Sequence, residues 1–376
     1  MPAPAAAPTA PETTGRRLHN FSAGPSALPD EVIEEVKAEL PVYRDAGASI
    51  MEISHRSAAY DAVHQAAGER MKRLLGLGDD WHVLFLQGGA SLQFHQVPLN
   101  FLPAGGSADY LVTGSWSKKA LKEAKIVGGM RDARANAAAS SEAAQFTYIP
   151  EPSAWDLDPD AAYLHFTSNN TIYGTQFQEE PDVDVPLVCD ASSDFLSRPI
   201  TTARYGLIYA GAQKNIGPAG TTAVLVREDF LQRRPDGLPT LLDYRTHAEK
   251  LFHTPAAFAV YIVEKVLRWI EEHGGLAAMA ARNDAKAKAL YDAIDAADFY
   301  CGTARPDSRS RMNVTFRLPS EDLEARFIQE AKGEGLMALK GYRTVGGIRA
   351  SIYNAVTPES VDALVDFMRR FEAANG

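Results

Sequence analysis

The chain has 376 residues, 45% hydrophobic and 23% charged, an ordinary soluble composition that can bury a large core and suggests two domains. A formal net charge of -10 argues against bulk attraction to nucleic acid or an anionic membrane, but not against a local basic pocket for a small anion. Two cysteines, Cys189 and Cys301, build no disulfide framework and fit a reducing compartment, and no CxxC or Cys/His cluster suggests a metal site.

Residues 1–17 begin MPAPAAAPTAPETT, without the apolar core of a signal peptide, and are expected to form a disordered tail. ALPDEVIEEVKAEL reads as a helix: Pro29 suits its first turn, Asp30 and Glu31 complement its dipole, and Val32, Val36 and Leu40 share a face. A loop, GASIMEISHRS, leads to a second helix, AAYDAVHQAAGERMKRLLGLG. Its inner stripe is Tyr60, Val63, Ala67, Leu74 and Leu75, and Gly76 is its stop. The rhythm then changes. WHVLFLQ, DYLVTG, AYLHFTS, VPLVCD and YGLIYAG are short apolar runs ending in small or polar residues, with helical stretches such as SKKALKEAK between some of them. This alternation predicts an α/β fold with a mainly parallel sheet covered on both faces. AAFAVYIVEKVLRWIEEHGG reads as a long amphipathic helix stopped by Gly274 and Gly275, leading into a smaller C-terminal domain. There RMNVTFRL and GIRASIYN read as strands. SEDLEARFIQEAKGEG and TPESVDALVDFMRRFEAA read as helices, the last with Thr357 as N-cap and Pro358 at its first position. The expected division is a large domain over 18–270 and a small α+β domain over 271–376. No apolar run is long enough to cross a membrane, and a cytoplasmic protein is the default expectation.

Ligands of such sheets collect at the carboxyl ends of the strands. VLFLQGGAS ends in a Gly-Gly turn, then Ala90 and Ser91, with a helix expected from Leu92 whose backbone N–H groups suit a phosphate. LVTGSWSKK offers the Trp116 indole for stacking, and HFTSNNTIYG offers Ser168, Asn169 and Thr171. LVCDASS ends in Asp190, a carboxylate that is costly to bury unless paired. YGLIYAGAQKN ends in Gln213 and Lys214. Taken singly, each has a plainer explanation as a turn or packing residue. Together they are the parts pyridoxal 5′-phosphate needs: a phosphate cradle, a ring to stack on, a hydroxyl, a carboxylate for the ring nitrogen and a lysine for the aldehyde.

NFSAGPSALPDEV, MEISHRS, VLFLQGGASLQF, YGLIYAGAQKNIGPAG, FHTPAAFAVY and YRTVGGIRASIYNA resemble the phosphoserine aminotransferase family, in the class V group of fold-type I pyridoxal-phosphate enzymes. The motifs lie between Asn20 and Ala355. The resemblance implies a large domain with a mainly parallel sheet of the seven-stranded type, a smaller C-terminal domain, and a homodimer with shared active sites. It implies Lys214 as the lysine bonded to the cofactor and as the base that moves the substrate proton. It sets Asp190 against the ring nitrogen, Trp116 on the ring and Thr171 near the ring hydroxyl. Ala90, Ser91 and Gln213 would hold the phosphate, with His253 and Thr254 reaching it from the partner chain. Arg349 would bind the substrate α-carboxylate. His55, Arg56 and Arg343 would surround the distal anion, His55 and Arg56 coming from the neighbouring subunit. The implied reaction is ping-pong transamination between L-glutamate and 3-phosphohydroxypyruvate, giving O-phospho-L-serine and 2-oxoglutarate in serine biosynthesis. Some bacterial members also serve pyridoxine biosynthesis.

Two departures from the family pattern touch substrate range. Tyr342 stands in GYR where many relatives have GHR, and brings a hydrogen-bond donor but no charge; Lys340 is a compensating cation nearby. GGAS stands where some relatives have GGGR. Rival chemistries fare worse. A class V cysteine desulfurase needs a mobile cysteine, yet Cys189 sits in an apolar run and Cys301 lacks the context of a desulfurase loop. An aminotransferase for alanine or serine with glyoxylate has no use for several distal cations. A Rossmann-type nucleotide-binding protein needs GxGxxG, which is absent. A non-catalytic scaffold has no need of both Asp190 and Lys214.

Overall fold

A computed structural model describes residues 17–296 and 298–376. The expected tail lies outside the described residues except for Arg17, which pairs with Asp30. Strand β1 (His19–Asn20) precedes helices α1 (Asp30–Glu39) and α2 (Ala58–Leu75). The α2 start is capped by Ser57, which accepts from Tyr60 N, and its end by Gly76 in the left-handed region. Then come β2 (Trp81–Leu86), α3 (Gly89–Phe101), β3 (Ser107–Val112), α4 (Ser115–Gly129), β4 (Arg134–Ser140) and β5 (Leu164–Thr167). A short pair, β6 (Asn169–Asn170) and β7 (Thr175–Gln176), precedes β8 (Leu187–Asp190), β9 (Tyr205–Gly211) and β10 (Thr222–Arg227). Two short helices, α5 (Glu228–Leu231) and α6 (Tyr244–Glu249), lead to the long α7 (Ala257–Glu272) and α8 (Gly275–Asp295). The chain ends with β11 (Cys301–Gly302), β12 (Asn313–Arg317), α9 (Glu321–Gly333), β13 (Leu336–Met337), β14 (Ile348–Ser351) and α10 (Pro358–Asn375).

Seven strands form the large sheet in the order β2-β10-β9-β8-β5-β3-β4. All neighbours are parallel except β10, which runs antiparallel to both β2 and β9. Two of these strands escape the sequence reading. β4 is RANAAAS, whose alanines carry little strand propensity, and β10 returns from β9 with no helix between. The helix expected from Leu92 begins at Gly89 instead, because Gly88 and Gly89 take positive φ and turn the chain into it at once.

Strand alternation divides the interior. Ile208 and Ala210 of β9 join Val63, Ala67, Val263 and Leu267 under α2 and α7. Leu207 and Tyr209 join Phe94, Phe101, Leu121 and Ala124 under α3 and α4. Val188 lies on the α3–α4 side, so Asp190, two residues on, faces the same side at the strand end. A third core lies beneath the small antiparallel sheet β11-β12-β14 and contains Phe316, Phe327, Ile348 and Met368. Two features tie it to the rest. β1 pairs in parallel with β13, and Phe21 belongs to the third core. α8 gives Leu276 and Met279 to the first core, then Ala287, Leu290 and Ile294 to the third.

Midway along α8, buried Lys286 donates to the carbonyls of Ile352, Tyr353 and Val356 at 2.8, 2.7 and 2.9 Å. Three carbonyls use all three ammonium hydrogens. Replacing the amine by a thioether would leave these buried acceptors unpaired, each at ~1–3 kcal/mol. Lys286→Met is expected to lower the unfolding free energy by about 3 kcal/mol, read from the urea midpoint of the chain. An unchanged midpoint would show that the amine is not the tie.

Candidate active site

Lys214 lies in the connection 212–221 that closes the β9–β10 hairpin. Both ends of the loop are fixed, Ala212 N donating to Thr221 O at 3.0 Å. Gly217 lets the loop rest on α7, since a Cβ there would meet Val263 Cγ2 at 2.7 Å. The segment after β1 closes over the lysine. Ser26 N donates to Gln213 O at 2.9 Å, and its hydroxyl donates to Lys214 O. From the segment after β14, Asn354 N donates to Asn215 Oδ1 at 2.9 Å. The loop that carries the lysine is therefore held by the segment after β1, by its own hairpin closure and by the segment after β14.

Its side chain points to the sheet edge. Nζ donates to Thr171 Oγ1 at 2.9 Å and lies 5.7 Å from the centroid of the Trp116 ring. Burial holds the amine below the usual lysine range; Asp190 and Asp194 pull it up, and Arg349 pushes it further down. Asp190 ends β8 and is 4% exposed. Its Oδ1 accepts from Ser192 N at 3.0 Å and from Ser192 Oγ at 2.6 Å. Ser192 Oγ in turn accepts from Gly211 N at 3.1 Å. Both carboxylate bonds, among the described residues, go to Oδ1, which leaves Oδ2 for a ligand. Burial raises the Asp190 pKa, opposed by the Lys214 charge and by the Ser192 bonds.

Trp116 sits in the first turn of α4, its Nε1 buried without a partner. Ala90 and Ser91 occupy the first turn of α3, where backbone N–H groups are free to receive an anion. Arg349, on β14, sends Nη1 toward Thr171 O at a long 3.5 Å, while its Nε has no partner. Burial lowers its pKa, and the Tyr353 and Tyr342 phenols lie within Coulombic reach. The structure thus brings Trp116, Thr171, Asp190, Gln213, Lys214 and Arg349 to one place, at the carboxyl ends of β3, β5, β8 and β9, with Tyr342 beside Arg349.

The remaining expected residues do not join that group within one chain. His253 packs edge-on against His247 at 5.1 Å and lies within Coulombic reach of His55 and His64. Both its ring nitrogens are buried without partners, and burial lowers its pKa. Thr254 is exposed, its carbonyl accepting from Gln87 Nε2 at 3.3 Å. Arg56 and Arg343 are exposed. Sequence reasoning misses Ser192, Ser26, Asn354 and Tyr353. Ser192 alone carries a local signal, since Asp-x-Ser can fold back on itself; the others reach the site through long-range packing.

The donor set fits pyridoxal phosphate. A buried carboxylate with one free oxygen suits a protonated ring nitrogen, an indole offers a flat face, and a helix start offers N–H groups to a phosphate. No group of three His, Cys, Asp or Glu among the described residues is placed to hold a metal.

The sequence matches the family described as Aminotransferase class-V over residues 18–364, and the chain belongs to that family. Within it, the chain is 56% identical over 364 residues to the phosphoserine aminotransferase of Desulfatibacillum aliphaticivorans, covering 96% of this chain and 99% of the relative. The solved phosphoserine aminotransferase of Bacillus circulans subsp. alkalophilus superposes with a TM-score of 0.92 at 51% identity, over 96% of this chain and 99% of that one. A pyridoxal-phosphate-bound phosphoserine aminotransferase from Trichomonas vaginalis superposes with a TM-score of 0.90 at 42% identity, over 94% and 100%.

The charges around Lys214 give a signed test in cofactor-free protein. Its amine is expected to be half-modified by an acylating reagent at a lower pH than a surface lysine, followed by mass spectrometry. Asp190→Asn removes a group that raises the pKa and should move that midpoint lower still. Arg349→Met removes one that lowers it and should move the midpoint up. Shifts of the opposite sign would contradict this electrostatic picture.

Proposed function

We propose that the chain catalyses pyridoxal-phosphate-dependent transamination between L-glutamate and 3-phosphohydroxypyruvate, the amino-group transfer that yields O-phospho-L-serine for serine biosynthesis. The observation that carries this reading is the Lys214–Thr171–Asp190–Arg349 constellation in a class-V aminotransferase fold. When bound, the cofactor supplies an aldehyde carbon that takes amino groups and a ring that accepts electrons from the substrate carbon.

The protein supplies the rest. With the cofactor bound, Lys214 Nζ would be the base that takes the proton from the substrate Cα. Its lowered pKa keeps more of the amine in the neutral form that can accept a proton. Thr171 Oγ1 aims that amine. Asp190, oriented by Ser192, keeps the ring nitrogen protonated through its free oxygen. Trp116 covers the ring, and the α3 start with Ala90, Ser91 and Gln213 receives the phosphate. Arg349 takes the α-carboxylate in its fork, and Tyr342 and Arg343 meet the distal anion. His55, Arg56, His253 and Thr254 act across a homodimer, reaching the site of the neighbouring subunit.

We read 18–270 as the cofactor-binding domain and 271–376 as the small domain, a division supported by the separate third core. No helix among the described residues is long and apolar enough to cross a membrane. We place the protein in the cytoplasm, in keeping with a reducing compartment.

The test is a visible spectrum of the cofactor-loaded protein. The cofactor band is expected to fall with L-glutamate and to return with 3-phosphohydroxypyruvate; a band that ignores glutamate would overturn the reading. Lys214→Ala is expected to keep the fold by circular dichroism and lose turnover. Asp190→Ala is expected to lower kcat by roughly 10²–10⁴-fold, because proton removal from carbon then lacks its electron sink. Wild-type rates in either variant would exclude the assigned role.

A further inference from the structure

The hairpin 340–347, KGYRTVGG, carries exposed Arg343 and Tyr342, whose phenol lies within Coulombic reach of Arg349. It is closed internally. Gly341 N donates to Gly347 O at 2.8 Å, Val345 N and Gly346 N donate to Tyr342 O at 2.9 and 2.8 Å, and Arg349 N donates to Leu339 O at 2.8 Å. Gly346 and Gly347 take φ of +76° and +69°, so the turn requires glycine there. These bonds fix the hairpin's shape but not its direction. A cavity of about 600 Å³ flanks it, lined by Lys340, Tyr342, Arg343 and Thr344 on one side and by Glu321 and Ile328 of α9 on the other.

Two side chains span the gap. Arg317, last in β12, donates through Nη1 to Val345 O at 3.1 Å. Glu324, in the first turns of α9 and 6% exposed, accepts Gly347 N on Oε2 at 3.2 Å and Arg317 Nε on Oε1 at 2.5 Å. The carboxylate thus binds the hairpin and the arginine at once. Charge-assisted bonds of this kind are the stronger ones, and the N-terminal part of a helix favours an anion there. The contact is close: a Cβ on Gly347 would meet Phe316 O at 2.8 Å.

We propose that the Arg317–Glu324 pair is a clamp that aims the 340–347 hairpin, so that Glu324 is a positioning residue for the binding of the substrate's distal anion. The inference rests on the proposed function for the identity of that anion. Glu324 touches neither substrate nor reacting atoms. It acts through Gly347 and Val345 on Tyr342 and Arg343, and it spends its own charge on Arg317 rather than on the cations of the hairpin.

Two measurements on Glu324→Ala test it. In hydrogen exchange, the amides of Gly341, Val345, Gly346 and Gly347 are expected to exchange faster, while those of β9 keep their protection. In steady-state kinetics, KM for L-glutamate and 3-phosphohydroxypyruvate is expected to rise roughly tenfold, with kcat within about twofold and the cofactor band unchanged, the pattern of lost binding without lost chemistry. Glu324→Gln keeps an acceptor for Gly347 N but loses the ion pair. It is expected to fall between wild type and Glu324→Ala, and it takes over the test where the alanine variant does not fold. Unchanged exchange in the hairpin would overturn the clamp. Faster exchange with unchanged KM would overturn its role in substrate binding, as would kcat and KM changing together with a lost cofactor band. Exchange needs no turnover, so it decides the clamp by itself. A wild-type protein that ignores glutamate would overturn the functional reading and the substrate half of this inference with it.

Discussion

Two opposite charges buried at the carboxyl edge of an apolar sheet form the constraint around which the molecule is arranged. Asp190 and Lys214 each lose hydration there, and desolvation pushes both toward their neutral forms. Neither is allowed to relax into a simple contact pair. Ser192 binds one carboxylate oxygen, Thr171 takes the amine, Ser26 holds the lysine carbonyl, and Asn354 holds the neighbouring Asn215. Such a site is costly to the bare fold and useful only when a ligand stands between the charges, as stability and function often compete at catalytic centres. The two large apolar cores on either side of the sheet offset that cost.

The elements that sequence reasoning finds are those whose pattern is local. Apolar runs ending in a small or charged residue mark β2, β3, β5, β8 and β9, and the stripe of α2 and the caps of α10 are visible in their residues. β4 is hidden because an alanine-rich edge strand has no apolar signature, and β10 because nothing in TTAVLVRE reveals that it returns antiparallel. The site follows the same rule. Lys214, Asp190, Trp116, Thr171 and Arg349 stand at strand ends or within strong motifs. Ser26, Asn354 and Tyr353 act only because distant segments meet, as when Tyr353 OH donates to Ala23 O at 2.9 Å while accepting from Asn313. His253 shows the opposite case: its motif is easy to see, but in the fold it packs against His247 with both ring nitrogens unpartnered.

The small sheet is more than an appendage. It presents Arg349 to the lysine, and α8 crosses from the large core to the small one without a break. Lys286 and Asn283 bind that helix to the segment after β14, Asn283 Nδ2 donating to Asn354 Oδ1 at 2.7 Å. The same Asn354 reaches Asn215, next to Lys214. A short chain of hydrogen bonds through Asn354 thus links α8 to the lysine loop.

The pairing of β1 with β13 joins a segment near the start of the chain to one made after nearly all the rest. On the ribosome, β1 emerges early and has no partner strand until β13 appears. The stretch that carries Ser26 is anchored at its N-terminal end by that late pairing, so the cover over Lys214 is held at both ends only when the C-terminal sheet exists. A chain halted after β10 would already hold the lysine, the carboxylate and the large sheet, yet lack both Arg349 and the anchored cover. The fold thereby withholds a finished amine-handling pocket from incomplete translation products.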